Sequence, residues 1–483
     1  MVLLEKVMAD ASDVKNIRQR LKEHHQEHLL TFWPQLNQRQ RKELLDQTRE
    51  LDLDKIDEWV EQLVKGTPQP PVAHQHFEPA TSYNPEPHDP DQRRKYKEAI
   101  DLGEKLIAQG KVAAMVVAGG QGTRLGFDGP KGNFPISPVR HKTLFRIFAE
   151  TIQTVTRRYG ATCPWYVMTS PMNHTQTVEI FKANNYYGLE AKDVFLFEQG
   201  TLPNFAFDGR ILLEDKAHIA RSPDGHGGCI RALARSGALA DMKRRGVEFI
   251  SYWQVDNPMV RLFDPLFIGL HAQGGAEMSS KAVIKNSPKE KVGNFCLVDG
   301  KVTVIEYSDL PDELAERRRP DGSLVFELGS IAIHILSTGF VEKLNTEGHS
   351  LPLHRAVKKI PHVDLQGDRV EPKQPNGIKL ESFIFDALPV AKESIILQIL
   401  RSEQFAPVKN ATGEDSVEVT RRMMVERAAA WLEAAGVTVP RKPDDSVDCL
   451  LEIAPSFALD PADVPAKRAQ IPSLKPGDKV YLG

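Results

Sequence analysis

The chain has 483 residues, which is long for one domain, so we expect a large core domain with smaller ones attached. Its 62 lysines and arginines nearly balance its 65 aspartates and glutamates, which argues against a nucleic-acid partner because no global positive field exists. No window approaches 18 apolar residues and the N-terminus has no basic segment before an apolar one, so we expect a cytoplasmic protein without a membrane partner.

The first 65 residues carry a helical pattern. Ile17 and Leu21 recur on one side of a predicted helix, and two further amphipathic segments follow. Residues 66–92 are too rich in proline for a helix and too polar for a core strand, so we predict an extended connection there. Together these features predict an N-terminal helical region with a proline-rich connection over residues 1–108.

From residue 112 onward, predicted strands and helices alternate. Strands are predicted at 112–118, 165–170, 194–197 and 247–257, and helices at 143–159, 175–183 and 230–245. Such alternation is typical of a mixed, largely parallel, Rossmann-like α/β sheet with helices on both faces. We therefore predict an α/β domain over residues 109–398, with ligands bound at the carboxyl ends of its strands.

Two further features follow the alternating part. Two β-rich runs are joined by Asp299 and Gly300, a strong signal for a hairpin, which predicts an antiparallel insertion beside the sheet. Beyond about Leu400, one predicted helix at 417–435 is accompanied by short strand-like pieces. This predicts a small C-terminal α+β domain over residues 399–483.

A glycine-rich loop, "VVAGGQGTRLGFDGPKGNFPI" at 116–136, follows the first buried strand. It is not a P-loop, because it lacks the Lys-Ser or Lys-Thr pair, and Leu125 stands where the dinucleotide fingerprint needs glycine. Glycines at the end of a strand let backbone N–H groups approach a base or a phosphate. Arg124 and Lys131 add two cations, and Asp256 ends another strand as a candidate Mg²⁺ ligand. The pattern predicts phosphate transfer with a nucleotide.

These features also have explanations without a ligand. The glycine loop could be a tight connection, Asp256 could cap the next element together with Asn257, and His226 could be a turn residue. His24 and His28 have metal-ligand spacing but no strong third ligand, which favours a solvated helix face. The cysteines form no C-x-x-C pair and are predicted to be reduced and buried: Cys163, Cys229, Cys296 and Cys449.

Seven spaced motifs allow a family to be suggested. They are "AGGQGTRLG" with "PKG", "FEQGTLP", "SPDGHGG", "VDNP", "VGNFCLVDGKVTVIEYSD", "PNGIKLESFIFD" and "FAPVKN". In this order they resemble the eukaryotic-type UDP-N-acetylglucosamine pyrophosphorylases within the UDP-sugar pyrophosphorylase family. The resemblance spans roughly residues 90–430. It implies a nucleotidyltransferase fold, Mg²⁺ as cofactor, and in-line attack of N-acetylglucosamine 1-phosphate on the α-phosphorus of UTP.

The resemblance also implies the roles of particular residues. Nucleotide binding would fall to a group of glycines with a threonine and a uracil-reading glutamine: Gly119, Gly120, Gly122, Thr123, Gln199 and Gly225. The sugar pocket would be formed by His226, Gly293, Glu306, Tyr307, Ser330, Phe383 and Phe385. The phosphates would be contacted by the cations Arg124, Lys131 and Lys409. The resemblance places Asp256, already a candidate metal ligand from its position after a strand, beside the sugar pocket.

The residues that carry the resemblance favour two different sugars. His226 and Ser330 stand where the N-acetylglucosamine enzymes carry asparagine, and UDP-glucose pyrophosphorylases share the histidine. Glu306, Phe383 and Phe385 favour an N-acetylhexosamine, because they would offer a carboxylate to hydroxyl groups and an apolar wall to a methyl group. N-acetylglucosamine 1-phosphate is the expected substrate, with glucose 1-phosphate or a broad specificity as the alternative.

Other classes of protein stay open. A nucleotide-sugar sensor would bind without turnover, and the cations Arg124 and Lys131 argue against it because a sensor needs no charge on a leaving group. An NAD-dependent oxidoreductase is disfavoured because the third glycine of its fingerprint is missing. The oligomeric state, monomer or weak dimer, does not follow from the sequence.

Overall fold

The structure is a computed structural model that describes residues 2–66, 77–346 and 351–483. Its α-helices are α1 (Val2–Glu23), α2 (Gln38–Arg49), α3 (Leu53–Trp59), α4 (Pro90–Ala108), α5 (Leu144–Tyr159), α6 (His174–Ala183), α7 (Cys229–Arg235), α8 (Ala238–Arg244), α9 (Pro265–Gln273), α10 (Asp312–Ala315), α11 (Thr338–Thr346), α12 (Arg401–Gln404) and α13 (Val417–Ala434). Its strands are β1 (Phe77–Pro79), β2 (Val112–Val117), β3 (Trp165–Thr169), β4 (Val194–Glu198), β5 (Thr201–Pro203), β6 (Phe205–Ala206), β7 (Leu213–Asp215), β8 (His218–Ile219), β9 (Arg221–Pro223), β10 (Phe249–Gln254), β11 (Met278–Ile284), β12 (Gly293–Val298), β13 (Lys301–Ile305), β14 (Leu328–Ser337), β15 (Leu353–Lys358), β16 (His362–Val363), β17 (Arg369–Val370), β18 (Gly377–Ser382), β19 (Ile396–Gln398), β20 (Leu450–Ile453) and β21 (Lys479–Leu482).

The chain divides into two compact units, each assembled from separated segments. The smaller unit comprises Met1–Ala73, Gly200–Gly228 and Leu351–Ile384, and the larger unit comprises His74–Gln199, Cys229–Ser350 and Phe385–Gly483. The predicted division of the chain near residues 108 and 398 stays a prediction. Within the predicted extended connection, residues 67–76 lie outside the described residues.

The larger unit is built on a ten-stranded mixed sheet. Its main strand order is β1-β12-β14-β10-β2-β3-β4, with β13 beside β12, and with β11 pairing β14 and β19. The strands β10, β2, β3 and β4 run parallel, and β14 joins them antiparallel through β10. The predicted α/β fold is confirmed.

Strand β2 explains why the centre of this sheet is buried on both faces. Val112, Ala114 and Val116 belong to one apolar core, which includes residues of α4, α5 and α9. Ala113 and Met115 alternate with them and are equally buried. Because successive side chains of a strand point to opposite faces, both faces of the sheet are covered.

The smaller unit packs the N-terminal helices onto segments from the middle and the later part of the chain. Leu21 and Leu44 share a core with Phe205 and Ile378, which lie on the strands β6 and β18. The order of this unit's largest sheet is β15-β18-β6. Contacts between segments so distant in sequence leave no local pattern, and no prediction anticipated them.

The helix boundaries correct one interpretation. Because α1 ends at Glu23, His24 and His28 do not share a helix face, and the interpretation as a solvated helix face is wrong. His24 Nδ1 lies 2.7 Å from Asp57 Oδ2, and His28 Nε2 lies 2.7 Å from the carbonyl oxygen of Ile211. Burial lowers the pKa of His28. Both rings therefore serve the packing of the smaller unit.

The single helix predicted at 230–245 is two helices in the structure. The break between α7 and α8 falls at Gly237, whose φ of 81° lies in the left-handed region. Helix α4 begins at Pro90, because Asp89 caps it by accepting a hydrogen bond of 2.8 Å from the Gln92 amide. Glycine conformation and capping therefore set these boundaries.

The predicted hairpin and the C-terminal elements are confirmed. Asp299 and Gly300, with φ of 49° and 73°, join β12 to its antiparallel neighbour β13 in the conformation that two-residue hairpins favour. In the C-terminal part α13 is present, and β20 pairs in parallel with β21. The four cysteines are buried and form no disulfide, as predicted.

Candidate active site

The parallel strands of the larger unit end at one edge of the sheet. In the register, Val117 at the end of β2 pairs with Gln254 of β10 and with Met168 of β3. On the far side of β3, Thr169 pairs with Glu198 at the end of β4. The glycine loop, Asp256 and Gln199 each follow one of these strands, so the predicted residues meet at the edge where α/β sheets bind ligands.

Two side chains that follow β3 hold the start of the glycine loop. Asn173 Nδ2 donates to the carbonyl oxygens of Ala118 at 3.0 Å and Gly120 at 3.3 Å. Ser170 Oγ donates to the carbonyl oxygen of Gly119 at 2.8 Å. Within the described residues, the N–H groups of Gly119 and Gly120 donate no hydrogen bond. The loop therefore offers two backbone donors to a polar ligand.

The rest of the loop folds back on itself. The Gly122 amide donates to the Gly129 carbonyl oxygen at 2.9 Å, and the Lys131 amide donates to the Gly120 carbonyl oxygen at 3.0 Å. Gly129 has a φ of 142°, which side chains rarely allow. These bonds fix the backbone of Lys131 beside the two free donors of the loop.

The glycine loop carries two positive charges. Arg124 is exposed and Lys131 is half-buried. Neither side chain has an ion pair or a hydrogen bond in the part of the chain that the structure describes. Two uncompensated cations next to free backbone donors suit a polyphosphate, because arginine can hold two phosphate oxygens while lysine acts as a point charge.

Gln199, predicted to read the uracil, lies against the glycine loop. Only 8% of Gln199 is exposed, and its backbone amide donates a hydrogen bond of 2.9 Å to the Thr169 carbonyl oxygen. A Cβ atom added to Gly119 would lie 2.5 Å from Gln199 Oε1. Glycine at this position is therefore required for the side chain of Gln199 to approach the loop. The uracil-reading role itself stays a prediction.

Residues 404–411, here called the closing segment, return to the same edge from the C-terminal side. The Val408 amide donates to the Asp256 carbonyl oxygen at 2.8 Å, and the Ala411 amide donates to the Arg124 carbonyl oxygen at 3.0 Å. Lys409 lies between these two contacts, with its Nζ 3.0 Å from Asp415 Oδ2. The segment therefore returns to the sheet edge, and the phosphate role of Lys409 stays a prediction.

Asp256 is the predicted metal ligand. It is half-buried two residues after the end of β10, and the described residues give its carboxylate no hydrogen bond or ion pair. No group of three or more metal-binding side chains is found among them either. Mg²⁺ is usually held by one or two carboxylates together with substrate phosphates and water, so this single carboxylate fits that ion.

Part of the predicted sugar pocket assembles in the larger unit. Gly293 pairs with Ser330 across β12 and β14. A Cβ atom on Gly293 would lie 3.6 Å from Ser330 Cβ and 3.7 Å from Glu306 Oε1, so these three residues are neighbours. Phe385 is buried, whereas Tyr307 is 45% exposed on the turn after β13.

The other part of the predicted pocket belongs to the smaller unit. The ring of Phe383 stacks on His226 at 5.3 Å between centroids and on His354 at 4.4 Å. Burial, and secondarily the charge of His354, lowers the pKa of His226 to about 4. His226 Nδ1 accepts a hydrogen bond of 3.1 Å from the Ile384 amide, so the neutral ring carries its proton on Nε2. His226 is therefore a neutral donor at physiological pH.

Glycine in the "SPDGHGG" loop is explained by close packing. Gly225 has a φ of 84°, and a Cβ atom there would lie 2.3 Å from the Ser382 carbonyl oxygen. A Cβ atom on Gly227 would lie 2.7 Å from the backbone of Phe383. The loop thus lies directly against the end of β18, a reason that the sequence did not provide. A uracil contact for Gly225 stays a prediction.

Several structural contacts were missed by the sequence reasoning. Ser170 and Asn173 hold the glycine loop, and their only signal was that Ser170 ends a predicted strand and Asn173 follows it by three residues. His354 was missed because its place beside Phe383 depends on the pairing of β15 with β18. Gln404 had no signal, because its contacts join distant segments.

The fold is α/β, and the edge of its parallel strands carries groups that suit a phosphorylated ligand. The model of the UTP–glucose-1-phosphate uridylyltransferase family matches residues 76–475. The chain therefore belongs to this family of nucleotidyltransferases, which confirms the family predicted from its motifs. No helix in the described part of the chain is long and apolar enough to span a membrane.

Individual relatives support a narrower comparison. The chain is 39% identical over 443 residues to the UDP-N-acetylhexosamine pyrophosphorylase-like protein 1 of Homo sapiens, covering 87% of this chain and 86% of that protein. It is 38% identical over 357 residues to the UDP-N-acetylglucosamine pyrophosphorylase of Saccharomyces cerevisiae, covering 72% and 75%.

Two solved structures are similar over most of the chain. The uridine diphosphate N-acetylglucosamine pyrophosphorylase of Trypanosoma brucei, solved in complex with an inhibitor, has a TM-score of 0.81 at 25% identity and covers 98% of both chains. A putative UDP-N-acetylglucosamine pyrophosphorylase of Entamoeba histolytica has a TM-score of 0.73 at 31% identity, covering 84% of this chain and 99% of that one.

Proposed function

We propose that the protein transfers the uridylyl group of UTP to N-acetylglucosamine 1-phosphate, giving UDP-N-acetylglucosamine and pyrophosphate. The observation that carries the proposal is the edge of the parallel strands. There the backbone amides of Gly119 and Gly120 lie on the same loop as Arg124 and Lys131, and the described residues give none of these groups a hydrogen-bond acceptor. The relatives named for UDP-N-acetylglucosamine support the choice of nucleotide and sugar.

The reaction needs no catalytic base. An oxygen of the sugar 1-phosphate, already ionised at neutral pH, attacks the α-phosphorus of UTP. The bond between that phosphorus and the bridging oxygen breaks, and pyrophosphate leaves with the electron pair. The task of the protein is to align the two phosphates and to offset their charge, for which Arg124, Lys131 and Lys409 are suited.

We assign the nucleotide to the glycine loop and Gln199. The amides of Gly119 and Gly120 would donate to UTP, and the amide side chain of Gln199 would pair with the uracil edge. Asp256 would hold Mg²⁺ together with phosphate oxygens, and the ion would supply positive charge to the phosphates. The role of Asp256 is then to fix the position of that charge.

We assign the sugar to the polar groups that the family motifs predict for its pocket. Glu306 offers a carboxylate to hydroxyl groups of a hexose beside Ser330, and His226 offers an Nε2–H donor. An N–H donor can bind the carbonyl oxygen of an N-acetyl group, and it can equally bind a hydroxyl oxygen of glucose. His226 therefore fits either sugar in this proposal. Glucose 1-phosphate, or a broad specificity, is therefore the alternative substrate.

The proposal is tested by following pyrophosphate release with UTP, Mg²⁺ and a panel of sugar 1-phosphates: N-acetylglucosamine, N-acetylgalactosamine, glucose and galactose. We expect the highest kcat/KM with N-acetylglucosamine 1-phosphate, and CTP in place of UTP gives the control for the base. A higher kcat/KM with glucose 1-phosphate would establish the alternative. UTP binding without pyrophosphate release for any sugar would instead identify a nucleotide-sugar sensor.

A cytoplasmic location and a monomeric or weakly dimeric state are also proposed. The near balance of acidic and basic residues supports a small-molecule enzyme without a polyanionic partner. Light scattering at two protein concentrations tests the oligomeric state: a mass of 54.0 kDa at both would indicate a monomer. A mass that rises with concentration would indicate a weak dimer, and a constant larger mass would contradict the proposal.

A further inference from the structure

Asn257 directly follows the predicted metal ligand and is almost completely buried, with 4% exposed. Its Nδ2 donates to the Gln404 carbonyl oxygen at 2.8 Å, and its Oδ1 accepts from the Ala406 amide at 3.1 Å. Oδ1 also accepts from the Met259 amide at 3.2 Å. One side chain therefore holds the start of the closing segment at two points and fixes its own loop at a third.

The closing segment has a second anchor, the side chain of Gln404. Gln404 Oε1 accepts a hydrogen bond of 2.6 Å from Lys281 Nζ, which also lies 2.6 Å from Asp264 Oδ2. Lys281 has no exposed surface. A buried ammonium group needs these acceptors, because an unpaired charge in the interior is costly, so Gln404 is held firmly to β11.

A few residues after Gln404 and Ala406, the closing segment reaches the edge of the sheet at which the parallel strands end. Val408 donates to Asp256 and Ala411 donates to Arg124, and Lys409 lies between them. The side chain of Lys409 pairs with Asp415 and is 37% exposed, so it is not fixed by burial. Its position relative to the glycine loop depends on the backbone of the segment, and Asn257 holds that backbone.

We propose that Asn257 is a positioning residue that acts through Lys409: its two hydrogen bonds to residues 404–406 hold the closing segment so that Lys409 lies at the phosphates. The proposal rests on the proposed function. The three hydrogen bonds of the Asn257 side chain go to Met259, Gln404 and Ala406, and none of these residues belongs to the glycine loop. Its loss should therefore reduce kcat, with a smaller effect on the KM for UTP.

A double-mutant cycle on kcat tests this coupling. Lys409→Ala should slow turnover about tenfold or more while leaving UTP binding in calorimetry near that of the parent, and Asn257→Ala should do the same. If Asn257 acts through Lys409, the double variant is little slower than Lys409→Ala alone. Effects on kcat that multiply would overturn the proposal, and so would a full kcat in Asn257→Ala.

Asn345→Ala is the matched control. The side chain of Asn345 also donates two hydrogen bonds to carbonyl oxygens, of Ile230 at 3.0 Å and Val341 at 2.8 Å, but it lies on α11 and neither partner belongs to the closing segment. We expect a near-parental kcat in Asn345→Ala. Any small reduction of kcat that it causes should multiply with the reduction caused by Lys409→Ala. Coupling of Asn345 to Lys409 as strong as that of Asn257 would show a general loss of stability and would overturn the proposal.

A second variant keeps the test decisive if Asn257→Ala does not fold. Asn257→Asp retains the acceptor for the Ala406 and Met259 amides and replaces the donor to Gln404 with a second carboxylate oxygen, and the same cycle and criterion apply to it. Failure of the parent protein to release pyrophosphate with any sugar 1-phosphate would contradict the proposed function instead. The two failures are therefore distinguishable.

Discussion

Gly119 and Gln199 are in such close contact that a methyl group on Gly119 would lie 2.5 Å from Gln199 Oε1. Gly119→Ala should therefore displace the flexible end of Gln199 without unfolding the protein. We expect the KM for UTP to rise roughly tenfold, as the loss of about one ligand hydrogen bond requires, and the preference for UTP over CTP to fall. Steady-state kinetics with both nucleotides measures this.

Gly339→Ala is the control for that substitution. Nothing lies within 4 Å of a Cβ atom built on Gly339, which is in α11. Its kinetics should match those of the parent. An unchanged KM for UTP in Gly119→Ala would show that Gln199 does not read the nucleotide, or that the loop is not its binding site.

The unpaired cations of the glycine loop give the second prediction. Arg124→Ala and Lys131→Ala should each lower kcat by roughly a hundredfold or more, because each removes a charge contact to the phosphates in the transition state. Circular dichroism should show an unchanged fold. Arg94→Ala, at an exposed arginine that pairs with Asp91 on α4, is the control. Near-parental kcat in both loop variants would reject the assignment.

The lone carboxylate after β10 gives the third prediction. Asp256→Ala should abolish activity together with its dependence on Mg²⁺, and in calorimetry added Mg²⁺ should no longer strengthen UTP binding. Asp91→Ala removes an exposed carboxylate on α4 and should leave both responses intact. If Asp256→Ala still responds to Mg²⁺ as the parent does, the metal is held elsewhere.

The ring stack of the smaller unit gives the fourth prediction. His226→Asn introduces the residue of the N-acetylglucosamine enzymes and should raise the kcat/KM ratio of N-acetylglucosamine 1-phosphate to glucose 1-phosphate by roughly tenfold. Because the pKa of His226 is about 4, this ratio in the parent should be constant between about pH 6 and 8. His218→Asn, at a half-buried histidine beside Asp215, is the control. An unchanged ratio in His226→Asn would remove His226 from the sugar site.

The fifth prediction concerns stability and pH. Burial lowers the pKa of His271 from 6.5 to about 3, and its ring nitrogens lie 2.7 Å from Ser279 Oγ and 3.1 Å from Ser337 Oγ. Between these values the unfolded chain binds a proton that the folded one does not, so the stability that is present above pH 6.5 is lost as the pH falls. His271 alone should account for up to about 1.4 kcal/mol per pH unit.

Urea unfolding at pH 5 and pH 7 measures this effect. His271→Asn should be less stable than the parent at pH 7, and its unfolding free energy should change less between the two pH values. His88→Asn, at an exposed histidine before α4, should keep the pH dependence of the parent. An identical pH dependence in His271→Asn and the parent would show that His271 titrates normally in the folded protein.

The elements around the glycine loop followed from the sequence because their signals are local. A continuous apolar run predicted β2, and Asp299 with Gly300 predicted the hairpin between β12 and β13. Where a local signal was weak, the boundary moved: Gly237 divides the helix predicted at 230–245. The return of Lys409 to the sheet edge was expected from the family resemblance, since no local pattern indicates it.

The sequence by itself determined which residue types stand at the ends of the parallel strands, because strand, turn and glycine preferences act over a few neighbouring residues. Only the tertiary structure decided which distant groups hold them there: Asn173 on the glycine loop, Asn257 on the closing segment, and His354 on Phe383. These contacts join segments far apart in the chain, and each forms only when burial and strand pairing bring the backbones together. Such a contact depends on three-dimensional geometry, and spacing in the sequence does not encode it.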